Sequence, residues 1–402
     1  MVQGSLMTYY LEKMAEGLDL QKELQLLIRE YNNHRNSFLF IYASALEKAI
    51  PENVISQDDF YTIRDLLVGH RGQKCLDFFI ETGGGSGEAT EEIVRFLHDN
   101  FDHISFVICG EAKSAGTIMV LSGDDILMTE TGSLGPIDAQ IRVGRSKGSA
   151  YDYIEWVREK RHEAEKNGRL NPFDAIMVAQ ITPDEFVGIH HSLEYAKDLI
   201  SEWLPKYKFR NWNNTESKGS PVTEEMKRDT ANSIADKLTD HSKWRSHGRS
   251  IKRGDLEEIV GLKIRHVEQD QTLSDIVYRI HTILRLLFQS TTIYKVYASG
   301  DSFIARQATP SGAIRVKQPF PNSEISSSDV ASLEVTCPKC NLVHSIYAKF
   351  LADKNIDVHF RQKGFKSFPK NSKLRCGCGF DIDLSGIKRD MEIATGKSFQ
   401  LE

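Results

Sequence analysis

Apolar residues recur at helical spacing near the start of the chain, over about residues 8 to 31, where Leu11, Leu18 and Leu27 belong to the series. This spacing predicts one amphipathic helix. It could pack on a core domain or form a contact between subunits.

Short continuous apolar runs then alternate with helical patterns. The runs cover residues 38–43, 75–81 and 103–109, and the helical patterns begin at Ser56 and at Glu88. Runs of this length without polar alternation are typical of strands buried on both faces, and strands that alternate with helices of about ten residues indicate a parallel sheet. The predicted fold class is therefore α/β.

The remainder of the chain is mainly helical, except at its end. Helical patterns cover residues 149–204, 223–238 and 273–288, residues 213–221 are rich in loop formers, and 292–297 is a further strand. Residues 299–333 are rich in Gly, Ser and Pro without periodicity, which predicts a linker. The predicted organisation is an N-terminal helical segment (1–34), an α/β domain (35–298), a linker (299–333) and a C-terminal module with a tail (334–402).

Composition restricts the function classes. With 402 residues and a formal net charge of −5, the chain has no global attraction for nucleic acid or for an anionic membrane surface. It contains no apolar run of the length that spans a bilayer, and its first residues lack the pattern of a secretory signal. We therefore expect a cytoplasmic protein with no membrane partner.

Two segments that follow strands could carry chemistry. Ser114 comes after the strand at 103–109 and has small residues two positions before and after it, Ala112 and Gly116, as a nucleophile elbow requires. The cluster Gly83-Gly84-Gly85 ends the preceding strand, and such a loop can direct backbone N–H groups at a developing oxyanion. Taken alone, Ser114 could also be a helix N-cap and the glycines a flexible turn.

A serine nucleophile needs a base and a group that orients the base. Asp138 lies 24 residues after Ser114 in Gly135-Pro136-Ile137-Asp138, although an aspartate in this context could equally cap a turn. The histidine candidates are His247, which precedes a glycine in a segment without acidic residues, and the competing His190 and His191. Composition alone also permits a solvated loop histidine at 247.

The order of these motifs resembles one known group of proteins. A strand with a glycine loop, a helix, a strand, the small-x-Ser-x-Gly segment and then Gly-Pro-x-Asp is similar to the layout of the Clp protease and signal-peptide peptidase superfamily, which has a crotonase-like fold. Within it, residues 35 to 265 most resemble the serine dehydrogenase proteinase (SDH) family.

The resemblance implies a role for each candidate residue. Ser114 matches the nucleophile, Asp138 the residue that orients the base, and His247 the general base, in a triad with the order Ser, Asp, His. The N–H groups of Gly84, Gly85 and Ala115 would form the oxyanion hole. The implied activity is that of a serine endopeptidase acting on a peptide or protein substrate, in a homo-oligomer.

A serine–lysine dyad, as in signal-peptide peptidase relatives, is the rival mechanism. Its base would be Lys160 or Lys166, in the helical stretch after Asp138. Burial can lower the pKa of a lysine enough for this role, but surface lysines on a charged helix are the alternative interpretation.

Four of the six cysteines form two close pairs, Cys337-x-x-Cys340 and Cys376-x-Cys378. Two tight turns that each supply two thiolates make a tetrahedral zinc site, and four ligands leave no open position. This pattern predicts a zinc ribbon with structural zinc, and His344 is a substitute ligand. Cys75 and Cys109 fall in predicted buried strands.

The span between the cysteine pairs is basic and aromatic. This composition allows nucleic acid to bind through phosphates and stacking, but a solvated basic loop whose phenylalanines form a small core is the favoured interpretation. The span contains Arg361, Lys363, Lys366, Lys370, Lys373, Arg375, Phe360, Phe365 and Phe368.

The preferred interpretation is a serine peptidase with a zinc ribbon. The alternatives are a non-catalytic scaffold or regulatory protein that binds nucleic acid or protein through the ribbon, and a crotonase-type acyl-CoA enzyme. The Ser-Asp-His set argues against the acyl-CoA enzyme.

Overall fold

The computed structural model of the protein describes residues 5–138, 140–143, 146–178, 183–215, 219–246, 248–308, 315–317, 330–340, 342–351, 354–395 and 398–399. The chain divides into two compact units, Met1–Ala308 and Thr309–Glu402. The first unit contains the glycine loop, Ser114 and Asp138, and the second contains the four paired cysteines.

The first unit contains strands and helices in alternation. Its strands are β1 (Phe38–Ser44), β2 (Cys75–Glu81), β3 (His103–Ile108), β4 (Glu111–Ala112), β5 (Asp125–Met128), β6 (Ser133–Leu134), β7 (Gln140–Val143), β8 (Ser146–Ser149), β9 (Arg265–His266), β10 (Ile293–Ala298) and β11 (Phe303–Gln307). Its helices are α1 (Leu6–Ala15), α2 (Leu20–Arg35), α3 (Gln57–Leu67), α4 (Gly87–Asn100), α5 (Ala115–Leu121), α6 (Ala150–Asn167), α7 (Pro172–Val178), α8 (Pro183–Trp203), α9 (Glu224–Thr239), α10 (His241–Trp244), α11 (Arg253–Asp255) and α12 (Gln271–Ser290).

Strands β1, β2, β3, β5 and β9 are parallel and form the centre of a mixed sheet. In the described residues the strand order is β11-β10-β1-β2-β3-β5-β9, with β10 and β11 antiparallel. All seven residues of β1 are buried, which explains why its sequence is continuously apolar. Because β2 and β3 are parallel neighbours, the segments that follow them meet at the same edge of the sheet.

Helices cover both faces of this sheet. One face packs against α3, α4, α5, α8 and α9 through residues such as Ile63, Leu97 and Ile234, and the other packs against α1, α2 and α12 through residues such as Leu24 and Ile283. The N-terminal helices are therefore part of the core of the first unit.

The start of the chain differs from its predicted form. Two helices, α1 and α2, replace the single helix expected over residues 8 to 31. Gly17 adopts a φ of +98°, which ends the first helix, and the Asp19 carboxylate accepts hydrogen bonds from the N–H groups of Gln21 and Lys22 and starts the second. Hydrophobic spacing did not reveal this break because the apolar series continues on both sides of it.

Other predicted elements are confirmed with small shifts in their ends. The strands expected at 38–43, 75–81 and 103–109 are β1, β2 and β3, and Ser56 forms a capping box with Asp59 at the start of α3. Two predictions are wrong. Cys75 is exposed at the start of β2, and residues 303–307 of the expected linker form β11.

The second unit is small and rich in strands. Its elements are β12 (Arg315–Lys317), β13 (Val330–Thr336), β14 (Val343–Lys349), α13 (Lys354–Gln362), β15 (Lys366–Ser367), β16 (Lys373–Arg375), β17 (Asp381–Asp383) and α14 (Ser385–Thr395). Strands β12 to β15 form one sheet in sequence order, and β16 pairs with β17. Its core contains residues such as Leu333, Ile346 and Phe368.

Across the described ranges, none of the helices is both long and apolar enough to cross a bilayer.

Candidate functional site

Ser114 occupies a sharp turn between β4 and α5. Its backbone has a φ of 51° and a ψ of −118°, a conformation that residues with a β-carbon rarely adopt. Strain of this kind costs about 1–3 kcal/mol and occurs at functional turns, among them the nucleophile elbow. Ser114 precedes the first residue of α5, yet its side chain makes no capping hydrogen bond. The N-cap interpretation therefore does not explain this serine.

The small residues around Ser114 have a direct steric reason. A β-carbon placed on Gly116 would lie 2.4 Å from Thr82 Cγ2, so α5 approaches the end of β2 only because position 116 has no side chain. Thr82 also donates its N–H to Glu111 O (2.8 Å) and accepts the N–H of Lys113 through its carbonyl oxygen (2.9 Å). The end of β2 and the turn at Ser114 are thus held together through the backbone.

The glycine cluster lies directly against Ser114. A β-carbon on Gly84 would lie 2.8 Å from both Ser114 Cβ and Lys113 O, and Gly84 has a φ of +102°. A β-carbon on Gly85 would lie 2.3 Å from the backbone N and O of Ile55, and its φ is +155°. Glycine is therefore required at both positions for conformation and for space.

The backbone donors of this loop differ in their availability. The N–H of Gly84 donates to Thr82 Oγ1 at 3.2 Å. Within the described part of the chain, the N–H groups of Gly85 and Ala115 have no recorded acceptor. Of the three predicted oxyanion donors, Gly84 is therefore the one whose N–H is engaged within the protein.

Asp138 follows a short strand that pairs with the segment before Ser114. Strand β6 is parallel to β4, with Ala112 opposite Leu134, and Asp138 is 4% exposed. The N–H of Ile137 donates to Leu238 O at 3.0 Å, which fixes the backbone next to this carboxylate. Asp138 is therefore a buried carboxylate on a segment connected to the Ser114 turn through β4 and β6.

His247 lies outside the described residues, so its predicted role stays a prediction. The residues that follow it are close to the turn at Ser114. Lys113 Nζ donates to Arg249 O (3.1 Å) and to Ser250 Oγ (2.9 Å), and Ile251 exchanges backbone hydrogen bonds with Leu134.

Lys113 was not among the predicted site residues. It is 5% exposed, and Nζ also donates to Leu134 O at 3.3 Å and lies 3.7 Å from Glu111 Oε1. Burial lowers the pKa of Lys113, an effect that the nearby Glu111 carboxylate opposes. The sequence places Lys113 next to Ser114, but no periodicity shows that its charge is buried.

The lysines of the rival dyad do not have the environment of a base. Lys160 pairs with Asp174 (2.9 Å) and Glu163 (3.0 Å), and these contacts raise its pKa. Lys166 is exposed on α6. The structure thus favours the surface interpretation of both. Of the competing histidines, His191 is exposed and the side chain of His190 lies outside the described residues.

A buried pair supports the same edge of the sheet. His281 Nε2 lies 3.4 Å from Glu81 Oε2, and Glu81 is the last residue of β2, just before Thr82 and the glycine cluster. Burial lowers the pKa of His281, but contacts with Cys109 and Glu81 outweigh it and raise the pKa to about 10. Cys109 is buried, as predicted.

The four paired cysteines of the second unit form one cluster. The Sγ atoms of Cys337, Cys340, Cys376 and Cys378 all lie within 4.8 Å of one another, with 3.6 Å between Cys337 and Cys378 and 3.5 Å between Cys340 and Cys376. Tetrahedral zinc with Zn–S bonds of about 2.3 Å separates its sulfur ligands by about 3.8 Å. The donor set therefore fits a metal ion, and His344 is not a member of this cluster.

The aromatic residues between the cysteine pairs belong to the interior of the module. Phe368 is buried in the core of the second unit, and Phe360 and Phe365 pack against Val330, Tyr347 and Ile356. This packing favours the interpretation that these rings form a small core, because rings used in this way do not offer their faces to nucleic-acid bases.

Comparisons with known proteins find one family model and several similar chains. A family model described as a ClpP-like SDH-type serine proteinase matches residues 26–165. Two uncharacterized proteins of Methanocaldococcus jannaschii are similar. MJ0137 is 30% identical over 129 residues, which is 30% of this chain and 45% of that protein, and MJ1495 is 33% identical over 66 residues, 16% and 23%. The chain thus spans less than half the length of the curated relatives it matches.

Among solved structures, two mutant forms of the 1510-N membrane-bound stomatin-specific protease are similar. One covers 56% of this chain and 79% of its own, with 11% identity and a TM-score of 0.32. The other, in complex with a substrate peptide, covers 62% and 82%, with 12% identity and a TM-score of 0.31.

The family match includes the glycine loop, Ser114 and Asp138, the segments from which the resemblance was first inferred. Residues 26–165 of this chain thus match the model of the ClpP-like SDH-type serine proteinase family.

Proposed function

We propose that the chain is a serine endopeptidase that cleaves peptide bonds with Ser114 as its nucleophile. The observation that carries this proposal is the turn at Ser114. The serine has a strained backbone, makes no capping hydrogen bond and packs against Gly84, a position with no room for a side chain. Backbone strain at a serine whose hydroxyl does not cap the helix is typical of functional sites. The family match over residues 26–165 supports the same chemistry.

In the proposed mechanism, Ser114 Oγ attacks the carbonyl carbon of a peptide while the His247 imidazole accepts the hydroxyl proton. Asp138 holds the imidazole in the required tautomer and stabilises its charged form. The tetrahedral intermediate collapses when His247 gives the proton to the leaving amine, and water then hydrolyses the acyl-enzyme by the same sequence of proton transfers.

The oxyanion of the intermediate would be bound by backbone N–H groups. Gly85 and Ala115 are the preferred donors, because the Gly84 N–H already donates to Thr82 Oγ1. One such donor is typically worth about 3 kcal/mol of transition-state stabilisation. The role of Gly84 in this proposal is to let the loop approach Ser114.

The second unit would bind one structural zinc ion through Cys337, Cys340, Cys376 and Cys378. Four thiolates fill the tetrahedral coordination sphere, so the metal would stabilise the module and leave no position for catalysis. We further propose a peptide or protein substrate and a homo-oligomeric assembly, in line with the family.

Labelling with a fluorophosphonate–rhodamine probe tests the proposed nucleophile. The wild-type chain is expected to become labelled, and Ser114→Ala is expected to abolish labelling. Ser37→Ala removes a hydroxyl at the opposite end of β1, where it donates to Cys75 O (3.3 Å), and is expected to leave labelling unchanged. Labelling that survives in Ser114→Ala at the wild-type level would show that the nucleophile is another residue.

A further inference from the structure

Lys113 is buried beside Ser114 with all of its donors engaged. A lysine ammonium has three N–H donors and no acceptor. Its recorded acceptors are Leu134 O (3.3 Å), Arg249 O (3.1 Å) and Ser250 Oγ (2.9 Å). The two carbonyl oxygens can only accept, and the Ser250 hydroxyl gives its single proton to Glu111 Oε1 (3.1 Å), so its oxygen accepts from Nζ as well. Three acceptors require the protonated form, which cannot serve as the general base of a serine–lysine dyad.

The three acceptors come from segments that are distant in sequence. Leu134 belongs to β6, which leads to Asp138, whereas Arg249 and Ser250 follow position 247. The Glu111 carboxylate that accepts from Ser250 Oγ stands in β4, just before Lys113, so a second side chain of this strand also binds Ser250. One side chain thus joins the turn at Ser114 to both segments from which the other proposed triad residues come.

The space for the aliphatic part of the Lys113 side chain is provided by Gly135. A β-carbon on Gly135 would lie 2.6 Å from Lys113 Cδ, so the glycine of the Gly-Pro-Ile-Asp segment leaves the space that the stem occupies. Thr117 Oγ1 accepts the N–H of Gly135 and donates to its carbonyl oxygen, both at 3.0 Å, which fixes Gly135 against α5. The channel for Lys113 is therefore rigid on the side of β6.

We propose that Lys113 is a positioning residue, whose buried ammonium fixes the segment at residues 249–250 against the Ser114 turn and so sets the geometry of the base relative to the nucleophile. This inference rests on the proposed function. Lys113 acts through the segment that it binds.

The test compares Lys113→Met, which keeps the length of the stem and removes the ammonium, with the wild type. Time courses with fluorophosphonate–rhodamine give two quantities, the rate constant of labelling and the fraction of chains labelled at saturation. Lys113→Met is expected to reach full labelling with a rate constant at least tenfold lower. A residue that only supports the fold would lower the labelled fraction and leave the rate constant unchanged.

Lys252→Met is the matched control. Lys252 is exposed and donates to Thr131 O at 2.6 Å and Gly132 O at 3.3 Å, so it also joins this part of the chain to a neighbouring loop. It is expected to label at the wild-type rate. Ser250→Ala leaves the lysine in place and removes one acceptor, and a severalfold lower rate constant is expected; this variant decides the question if Lys113→Met fails to fold.

Hydrogen exchange gives a readout that does not require activity. The peptide covering residues 248–252 is expected to exchange faster in Lys113→Met, while peptides from α12 remain unchanged. Wild-type labelling rates in both Lys113→Met and Ser250→Ala, or a reduced labelled fraction at an unchanged rate, would overturn the inference. A wild-type chain that is not labelled at all would instead refute the proposed function, and the exchange experiment alone would then test the anchoring by Lys113.

Discussion

The serine site of the first unit and the cysteine cluster of the second obtain their geometry in opposite ways. Ser114 is held by residues distant in sequence. Its neighbours contact the end of β2, a strand of the central sheet that helices cover on both faces, and the strand β6, which pairs with β4. The cysteines are held by two tight turns, where Cys337 N–H donates to Leu342 O (2.9 Å) and Cys376 N–H donates to Phe380 O (2.8 Å).

The two units therefore differ in the source of their stability. A large buried core can maintain a strained serine at a cost of about 1–3 kcal/mol. A small module has little apolar area to bury, and a metal ion bound at its cysteine cluster would supply part of its folding free energy. We therefore expect the packed core of the first unit to position the residues of its site, and a metal ion at the cysteine cluster to stabilise the fold of the second unit.

Removal of the metal should have the largest effect and should act on one unit only. Structural zinc contributes about 10–16 kcal/mol of apparent binding free energy in small zinc modules, so a chelator is expected to unfold the second unit. Hydrogen exchange should show loss of protection in β13 and β14, with β1 and β2 unchanged. Metal analysis should give one zinc per chain for the wild type and for Cys75→Ser, and less for Cys340→Ser. Full protection of β13 and β14 in the metal-free protein would show that the second unit does not need a metal ion to fold.

Replacement of the buried carboxylate should have the next largest effect. Asp138→Asn keeps the size of the side chain but favours the wrong tautomer of the imidazole, which in a serine triad lowers turnover by about 10⁴-fold. The rate constant of fluorophosphonate labelling should fall by about 10³–10⁴-fold, with the melting temperature little changed. Asp102→Asn, an exposed aspartate before β3, is the control and should label normally. Equal labelling rate constants for the two variants would show that Asp138 is not part of the catalytic site.

Two glycines of the cluster, Gly83 and Gly85, test whether the loop is preorganised. Gly85→Ala would place a β-carbon 2.3 Å from the Ile55 backbone at a φ of +155°. The loop must then move, and its N–H groups no longer point at the oxyanion. Labelling should slow by about 10²–10³-fold, the typical cost of losing one oxyanion donor. Gly83→Ala places its β-carbon 3.8 Å from Leu46 Cδ2, an ordinary contact, and should label within a few-fold of the wild type. Similar rates for both variants would contradict the assigned oxyanion donors.

The pair of His281 and Glu81 predicts a smaller effect, on stability rather than on rate. The pKa of His281 is about 10 in the folded protein against about 6.5 in an unfolded chain, so its contribution to stability is complete below pH 6.5 and is lost as the pH rises through 10. The unfolding temperature of the wild type should fall more between pH 6 and pH 10 than that of His281→Gln. Parallel curves for the two proteins would show that the pair does not stabilise the sheet edge.

Much of the fold and of both candidate sites could be predicted from the sequence. The strands β1 to β3 were visible because parallel strands buried on both faces have continuously apolar sequences, and the cysteine spacing alone indicated four ligands for one ion. Ser114 and the glycine cluster were visible because a tight turn next to a strand requires small residues at fixed positions.

Other features depend on contacts that the sequence does not contain. The role of Lys113 arises from carbonyl oxygens at Leu134 and Arg249, which only the folded chain brings together. The prior engagement of the Gly84 N–H likewise depends on the rotamer of Thr82. Strand β11 was missed because Phe303–Gln307 follows residues rich in Gly and Ser, and its pairing with β10 creates the structure.

The most direct test of the central claim is a crystal structure of the fluorophosphonate adduct. We expect a covalent bond between phosphorus and Ser114 Oγ, with a phosphoryl oxygen about 3 Å from the N–H groups of Gly85 and Ala115. We also expect one ring nitrogen of His247 to lie within hydrogen-bond reach of Ser114 Oγ and the other to lie beside the Asp138 carboxylate. An adduct on another side chain, or a His247 ring turned away from both residues, would contradict the account.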